Sequence, residues 1–212
     1  MLEIAPSVLS AHPLFVDRDV KRMLKAGARI LHLDIMDGHF VPNISFGPSM
    51  AQALHSRYPD IMLDVHLMLS EPGKMIEDFI KAGAGEITIH SEIDQDIAPL
   101  LIKIKQAGLR SGLSIKPGTR ALSIASFLDQ IDLVLLMSVE PGFGGQKLMM
   151  ETLPKMRELR QAGFLGTLSV DGGVNRENAA LVKSYGATRL VMGTAAFQAD
   201  DPAELFEALC RV

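Results

Sequence analysis

The stretch ARILHLDIMDGH, residues 28–39, decides how this chain folds. It reads as a β-strand in which His32, Asp34 and Met36 alternate with aliphatic side chains. Successive strand residues point to opposite faces, so these three share one face. A second stretch, MLDVHLM (62–68), repeats the pattern and puts Asp64, His66 and Met68 on one face. Charged residues are seldom left inside a parallel barrel without partners. Two neighbouring strands that each turn a His and an Asp inward therefore point to a metal or proton-transfer site. The competing reading, a structural His–Asp pair in a barrel mouth, suits one such strand better than two.

Working outward, short apolar runs recur at 2–9, 29–35, 61–69, 86–90, 109–115, 131–137, 166–170 and 188–192. Several are bounded by Gly, Pro or Asp, as buried strands tend to be. Helical spacing lies between them. Leu14, Val16, Val20, Met23 and Leu24 form one stripe, and Ile97, Leu100, Leu101 and Ile104 another, with Asp94 as a plausible N-cap for the second. Gly27, Gly83, Gly108, Gly163 and Gly186 each fall where a helix should end before a strand, the place for a left-handed C-cap. Eight strands alternating with about eight helices make a parallel α/β domain. No linker or composition shift divides it, so residues 1–212 are expected to form one domain. Periodicity alone does not choose between an open sheet and a barrel. The candidate site residues sit at the C-terminal ends of strands 1, 2, 3, 6, 7 and 8, and a (β/α)8 TIM barrel brings those ends together.

Strand 7 ends SVDGGVN (169–175), with Asp171 at the strand end; taken alone, it reads as a helix cap. Strand 6 ends LMSVEPGFGGQ (136–146) and strand 8 ends VMGTAAF (191–197). Glycine-rich backbone ahead of a helix exposes N–H groups to an anion, and phosphate often sits after strands 7 and 8 of such barrels. Met36, Met68 and Met137 at strand ends read as core filling by default. Lys116 ends strand 5, where a Schiff base or an ion-paired side chain are alternatives. His90 ends strand 4, a position that would face the pocket.

The bulk properties restrict partners. The chain has 212 residues, 48% hydrophobic, and a formal net charge of -4 with its charges scattered, which argues against a nucleic-acid surface. Its one cysteine, Cys210, permits no intramolecular disulfide. No signal peptide and no spanning segment are read, so a soluble cytoplasmic protein is expected.

Together these segments resemble the ribulose-phosphate 3-epimerase family. The matching strings are APSVLSA (5–11), HLDIMDGHFVPNISFGP (32–48), DVHLM (64–68), IKPGT (115–119), LLMSVEPGFGGQ (135–146), VDGGVN (170–175) and VMGTAAF (191–197). The resemblance implies a TIM barrel of the ribulose-phosphate-binding type. It also implies interconversion of D-ribulose 5-phosphate and D-xylulose 5-phosphate by a homo-oligomer, and one divalent cation per subunit (Zn, Fe(II), Mn(II) or Co(II)). By the same resemblance, His32, Asp34, His66 and Asp171 are metal ligands, and Asp34 and Asp171 the acid–base pair. Ser7, His66, Asp171 and the segments Gly142–Gly145 (with Phe143 and Gly144), Gly172–Gly173 and Gly193–Thr194 would hold substrate. Met36, Met68 and Met137 would cap the reacting carbons. Two departures stand out: Thr194 replaces the usual serine, and Ile93 an alanine common in the family.

C3 epimerisation needs a base on each face of the sugar and a sink for charge on the C2 and C3 oxygens, hence two aspartates and a metal-stabilised enediolate. The alternatives are the same chemistry on a hexulose 6-phosphate such as allulose 6-phosphate, an aldolase built on Lys116, and a non-catalytic phosphosugar-binding protein.

Overall fold

In the computed structural model, which describes residues 2–211, eight parallel strands alternate with helices. The strands are β1 (Glu3–Pro6), β2 (Ile30–Met36), β3 (Met62–Met68), β4 (Glu86–His90), β5 (Arg110–Ile115), β6 (Leu133–Met137), β7 (Thr167–Asp171) and β8 (Arg189–Met192). Each lies within one residue of an apolar run read from the sequence. β1 pairs with β8, and the ladder descends in order from β8 to β2. A parallel bridge between Ser7 and His32 brings the end of β1 onto β2 and nearly closes the (β/α)8 barrel.

The helices are α1 (Val16–Lys25), α2 (Pro48–Arg57), α3 (Ile76–Lys81), α4 (Ile97–Gln106), α5 (Pro154–Gln161), α6 (Ala179–Ser184), α7 (Thr194–Phe197) and α8 (Pro202–Cys210). Gly27, Gly83, Gly108, Gly163 and Gly186, which end helices, adopt φ between 79° and 110°, the left-handed backbone expected at these positions. Three local expectations need correction. The cap of α4 is Asp96, whose carboxylate accepts from the Ala98 N–H, and not Asp94. Leu14 precedes α1 and is 80% exposed, so it is not part of that helix's stripe. The β5–β6 connection is a run of 3-10 turns, Ala121–Gln130, rather than an α-helix. Its cap position holds Arg120, which makes no side-chain cap, and its serines can bond local backbone in non-helical ways.

Strand parity sorts the interior. Leu31, Leu33, Val65 and Leu67 point outward against Val20, Met23, Leu54, Phe79 and Leu101 of the helices. Burying one such side chain contributes roughly 1.5–3 kcal/mol, so the sheet–helix layer carries most of the fold's stability. Inside the barrel, Ala5, Ile30, Leu133, Leu135, Met137 and Val191 fill one side. The other side is polar. At the N-terminal end of the barrel Arg189 is fully buried; its Nη1 lies 2.5 Å from Glu86 Oε1 and 3.4 Å from Asp64 Oδ2, and its Nε lies 3.0 Å from Glu3. Arg110 reaches Glu86 from the rim at 3.2 Å. This ion cluster is the floor on which the site stands.

Candidate active site and metal centre

The register of β2 on β3 sets His32 beside Asp64 and Asp34 beside His66, all inward. β7 contributes Asp171 as its last residue. Among the described residues, His32, Asp34, His66 and Asp171 form a group that could hold a metal ion, each offering one ligand atom within 4.8 Å of the others. His32 Nε2 lies 3.3 Å from Asp34 Oδ1 and 3.9 Å from Asp171 Oδ2. His66 Nδ1 lies at the same two distances from the same oxygens. Tetrahedral bonds of about 2.0–2.1 Å to one cation would set their ligands roughly 3.3–3.4 Å apart. The spacing therefore suits a cation better than direct hydrogen bonds, which favour shorter distances. His32 Nε2 is buried without a hydrogen-bond partner, as an atom meant for a metal would be.

Supporting contacts aim these atoms. His32 Nδ1 lies 2.9 Å from Asp64 Oδ2. The Ser7 hydroxyl donates to Asp34 Oδ2 at 2.5 Å, and the Ser45 hydroxyl donates to the Asp34 carbonyl while accepting from the Met36 N–H. Behind His66, its Nε2 lies 2.9 Å from His90 Nε2, and His90 Nδ1 lies 2.9 Å from Glu92.

The electrostatics call for positive charge at this point. Burial opposes an imidazolium at His32, yet the carboxylates of Asp64 and Asp34 raise its pKa well above the ordinary value. Burial would raise Asp34, but His32 and His66 hold it well below the usual carboxylate range. Burial and the neighbouring Asp34 charge push Asp171 up to about 7. A proton on His32 or a cation among the four ligands answers the same demand.

The ligands open onto a cavity of about 280 Å³ at the C-terminal mouth of the barrel. Ser7, Asp34, Met36, Met68, Met137, Asp171 and Thr194 line it, as do the glycines at 142, 144, 145, 172, 173 and 193 together with Phe143. His32 and His66 are fully buried one layer deeper. Lys116 is elsewhere: its ammonium stands 3.9 Å over the Phe40 ring, away from the cavity, which removes the basis for a Schiff-base aldolase. At Gly173 φ is +66°, and a Cβ there would run into the backbone of Leu148 and Gln146. Ser10 and Glu92 are not singled out by the sequence, and Asp64 and His90 are noted there without the contacts they make. Ser10 lines the cavity beside Gly193, and its only signal is its place at the end of APSVLSA. Asp64 orients His32, which the shared parity of β3 hinted at. The His90–Glu92 pair reveals itself only in three dimensions.

A family model for the ribulose-phosphate 3 epimerase family matches residues 3–197. The ribulose-phosphate 3-epimerase of Bacillus subtilis (strain 168) is 43% identical over 206 residues, covering 95% of this chain and 94% of that protein. That of Escherichia coli (strain K12) is 40% identical over 202 residues, covering 93% and 90%. The cytoplasmic isoform from Oryza sativa subsp. japonica is 40% identical over 211 residues, covering 98% and 92%. Among solved structures, a 3-hexulose-6-phosphate synthase superposes with a TM-score of 0.70 at 19% identity, covering 98% of this chain and 97% of the other; at that identity the likeness concerns the fold alone.

Proposed function

Since the chain belongs to the ribulose-phosphate 3-epimerase family, we propose that it inverts C3 of D-ribulose 5-phosphate to give D-xylulose 5-phosphate, with Asp34 and Asp171 as the paired proton carriers beside one divalent cation. It is an epimerase, an isomerase acting on a carbohydrate phosphate. The observation that carries the reading is the convergence of two carboxylates and two imidazole nitrogens within 4.8 Å at the mouth of one cavity.

A C3–H beside a ketone is a weak acid, so inversion needs a base on one face, an acid on the other, and a place for the charge. When bound, a divalent cation supplies Lewis-acid stabilisation of that charge. His32 Nε2, Asp34, His66 Nδ1 and Asp171 would hold it, and this donor set suits Zn, Fe(II), Mn(II) or Co(II). Asp34, held ionised, takes the proton from ribulose 5-phosphate. Asp171, pushed up to about 7, carries a proton to the opposite face. Two carboxylates with pKa values driven apart by their surroundings suit opposite roles. Ser7 keeps Asp34 in place through its 2.5 Å hydrogen bond. Met36, Met68 and Met137 cover the reacting carbons and exclude water. The glycine segments at 142–145, 172–173 and 193, with Thr194, take the phosphate end.

We read residues 1–212 as one domain, of which residues 1 and 212 lie outside those described. The protein is further read as a homo-oligomer working in the cytoplasm. Among the described residues, no helix is long and apolar enough to cross a membrane, and the rice relative carries a cytoplasmic designation. The test is turnover of ribulose 5-phosphate in D2O by the metal-loaded chain. Deuterium at C3 of the xylulose 5-phosphate formed is the expected result. Absence of both product and exchange in protein with a stoichiometric metal content would refute the assignment, and a higher kcat/KM on allulose 6-phosphate would move it to a hexulose.

A further inference from the structure

His66 faces two ways. Its Nδ1 belongs to the ligand cluster, and its Nε2 points at His90 Nε2, 2.9 Å away. Two imidazole nitrogens at that separation share one proton, so one donates and the other accepts. His90 in turn sets Nδ1 2.9 Å from Glu92 Oε2. The other oxygen of Glu92 accepts from the Lys116 N–H at 2.7 Å and from the Thr119 hydroxyl. His90 is fully buried, and neither His90 nor Glu92 lines the cavity.

With His66 Nδ1 given to a cation and Glu92 ionised, one placement of protons satisfies the contacts from His66 Nε2 to Glu92. A metal-binding Nδ1 on His66 must present its lone pair, so the ring proton sits on Nε2 and donates to His90. His90 Nε2 then accepts, which places its own proton on Nδ1, where it donates to the Glu92 carboxylate. The reverse arrangement turns the His90 Nδ1 lone pair toward Glu92 at 2.9 Å. It would need an extra proton on a carboxylate whose other oxygen already receives two donors. Metal-binding histidines commonly have the second nitrogen fixed by a carboxylate or carbonyl. Here an interposed imidazole does so.

We propose that His90 and Glu92 are positioning residues for the epimerase: a relay that fixes the tautomer of His66 and so turns its Nδ1 lone pair to the cation. This rests on the metal reading above. It also ties that ligand to the loop after β5, because Glu92 is anchored by the backbone of Lys116 and the side chain of Thr119.

The direct test uses the full wild-type chain loaded with zinc and labelled with 15N-histidine, read by long-range 1H–15N correlation. The expected pattern is a proton on Nε2 of His66 with Nδ1 metal-bound, and a proton on Nδ1 of His90 with Nε2 bare. A proton on Nε2 of His90, alone or with Nδ1, overturns the relay. Variants supply a second readout. Glu92→Gln should weaken zinc binding about 10–100-fold in a chelator competition and shift the visible bands of the cobalt(II) form. His90→Gln keeps an acceptor for His66 and a donor for Glu92, and should stay within about threefold of wild type. Unchanged affinity and spectrum in a folded Glu92→Gln protein also overturn the relay. If elemental analysis finds no stoichiometric zinc in the wild-type chain, the metal reading falls and the relay with it; if zinc is present with other tautomers, the relay alone falls.

Discussion

His32 Nδ1 stands 2.9 Å from Asp64 Oδ2, and the register of β2 on β3 makes the two residues direct neighbours. The carboxylate can only accept, so Nδ1 must carry a proton, and a cation held with Asp34 and Asp171 would take the lone pair of Nε2. Asp64 is held ionised: burial would raise it, but His32 and then Arg189 bring it down to about 2. Asp64→Asn replaces a fixed acceptor by an amide that can present a donor, and the tautomer is no longer dictated. Metal affinity should fall about 10–100-fold by chelator competition. An affinity equal to wild type would remove Asp64 from the account of the site.

The two proposed proton carriers, Asp34 and Asp171, can be separated. Asp171→Asn keeps a ligand oxygen and the shape of the side chain but loses the ionisable group. Epimerisation should drop about 10²–10⁴-fold, the usual worth of a positioned acid or base. Metal content, measured alongside, distinguishes a lost proton carrier from a lost ligand. If Asp34 acts from the other face, as proposed, Asp171→Asn should still exchange the C3 proton of ribulose 5-phosphate with D2O faster than it forms product. Wild-type turnover in a metal-replete Asp171→Asn protein would rule out a two-base scheme.

The strands were legible because a parallel barrel writes a simple code: outward residues aliphatic, inward polar residues visible as His32, Asp34 and His66 against that background. The glycine helix caps were legible for a similar reason, since left-handed backbone leaves few residues to choose from. What stayed hidden depended on tertiary distance. Nothing in HSEI says that His90 reaches back to His66 on the neighbouring strand, or that Glu92 reaches forward to the loop after β5. Asp94 and Asp96 are equivalent as caps until the chain's path into α4 is known. The run ALSIASFLDQ has the apolar content of a helix, and nothing in its composition marks the 3-10 form it takes.

Acid should weaken the fold through His90. Burial holds its pKa down at about 4, although Glu92 opposes that, while in the unfolded chain it titrates near 6.5. Between those values the unfolded chain binds a proton that the folded chain does not, so stability falls as pH falls through about 6.5 to 4. Above 6.5 the group contributes no pH dependence. Glu92, held at about 2 against its own burial by His90, acts in a lower window and in the same direction. In metal-free protein, urea midpoints should show His90→Gln losing about 2–3 kcal/mol less than wild type between pH 7 and pH 4.5. Parallel curves for the two proteins would mean that His90 does not carry the acid sensitivity.

Gly193 offers the sharpest test of the phosphate end. A Cβ added there would stand 2.5 Å from Ser10 Oγ but 3.6 Å from Ser10 Cβ. The collision is therefore with the hydroxyl alone, and Gly193→Ala can be accommodated only if that hydroxyl swings away. Ser10 also lies against Gly144, where an added Cβ would stand 3.8 Å from the same oxygen, so the movement disturbs both loops assigned to the phosphate. KM for ribulose 5-phosphate should rise about tenfold with kcat little changed, the mark of lost binding rather than lost chemistry. Inhibition by inorganic phosphate should weaken in parallel. Ser10→Ala removes the obstacle, so adding Gly193→Ala to it should cost much less than in the wild-type background, a non-additivity expected of residues in contact. If the two changes simply add, the hydroxyl is not what Gly193 makes room for, and the phosphate must be held without Ser10.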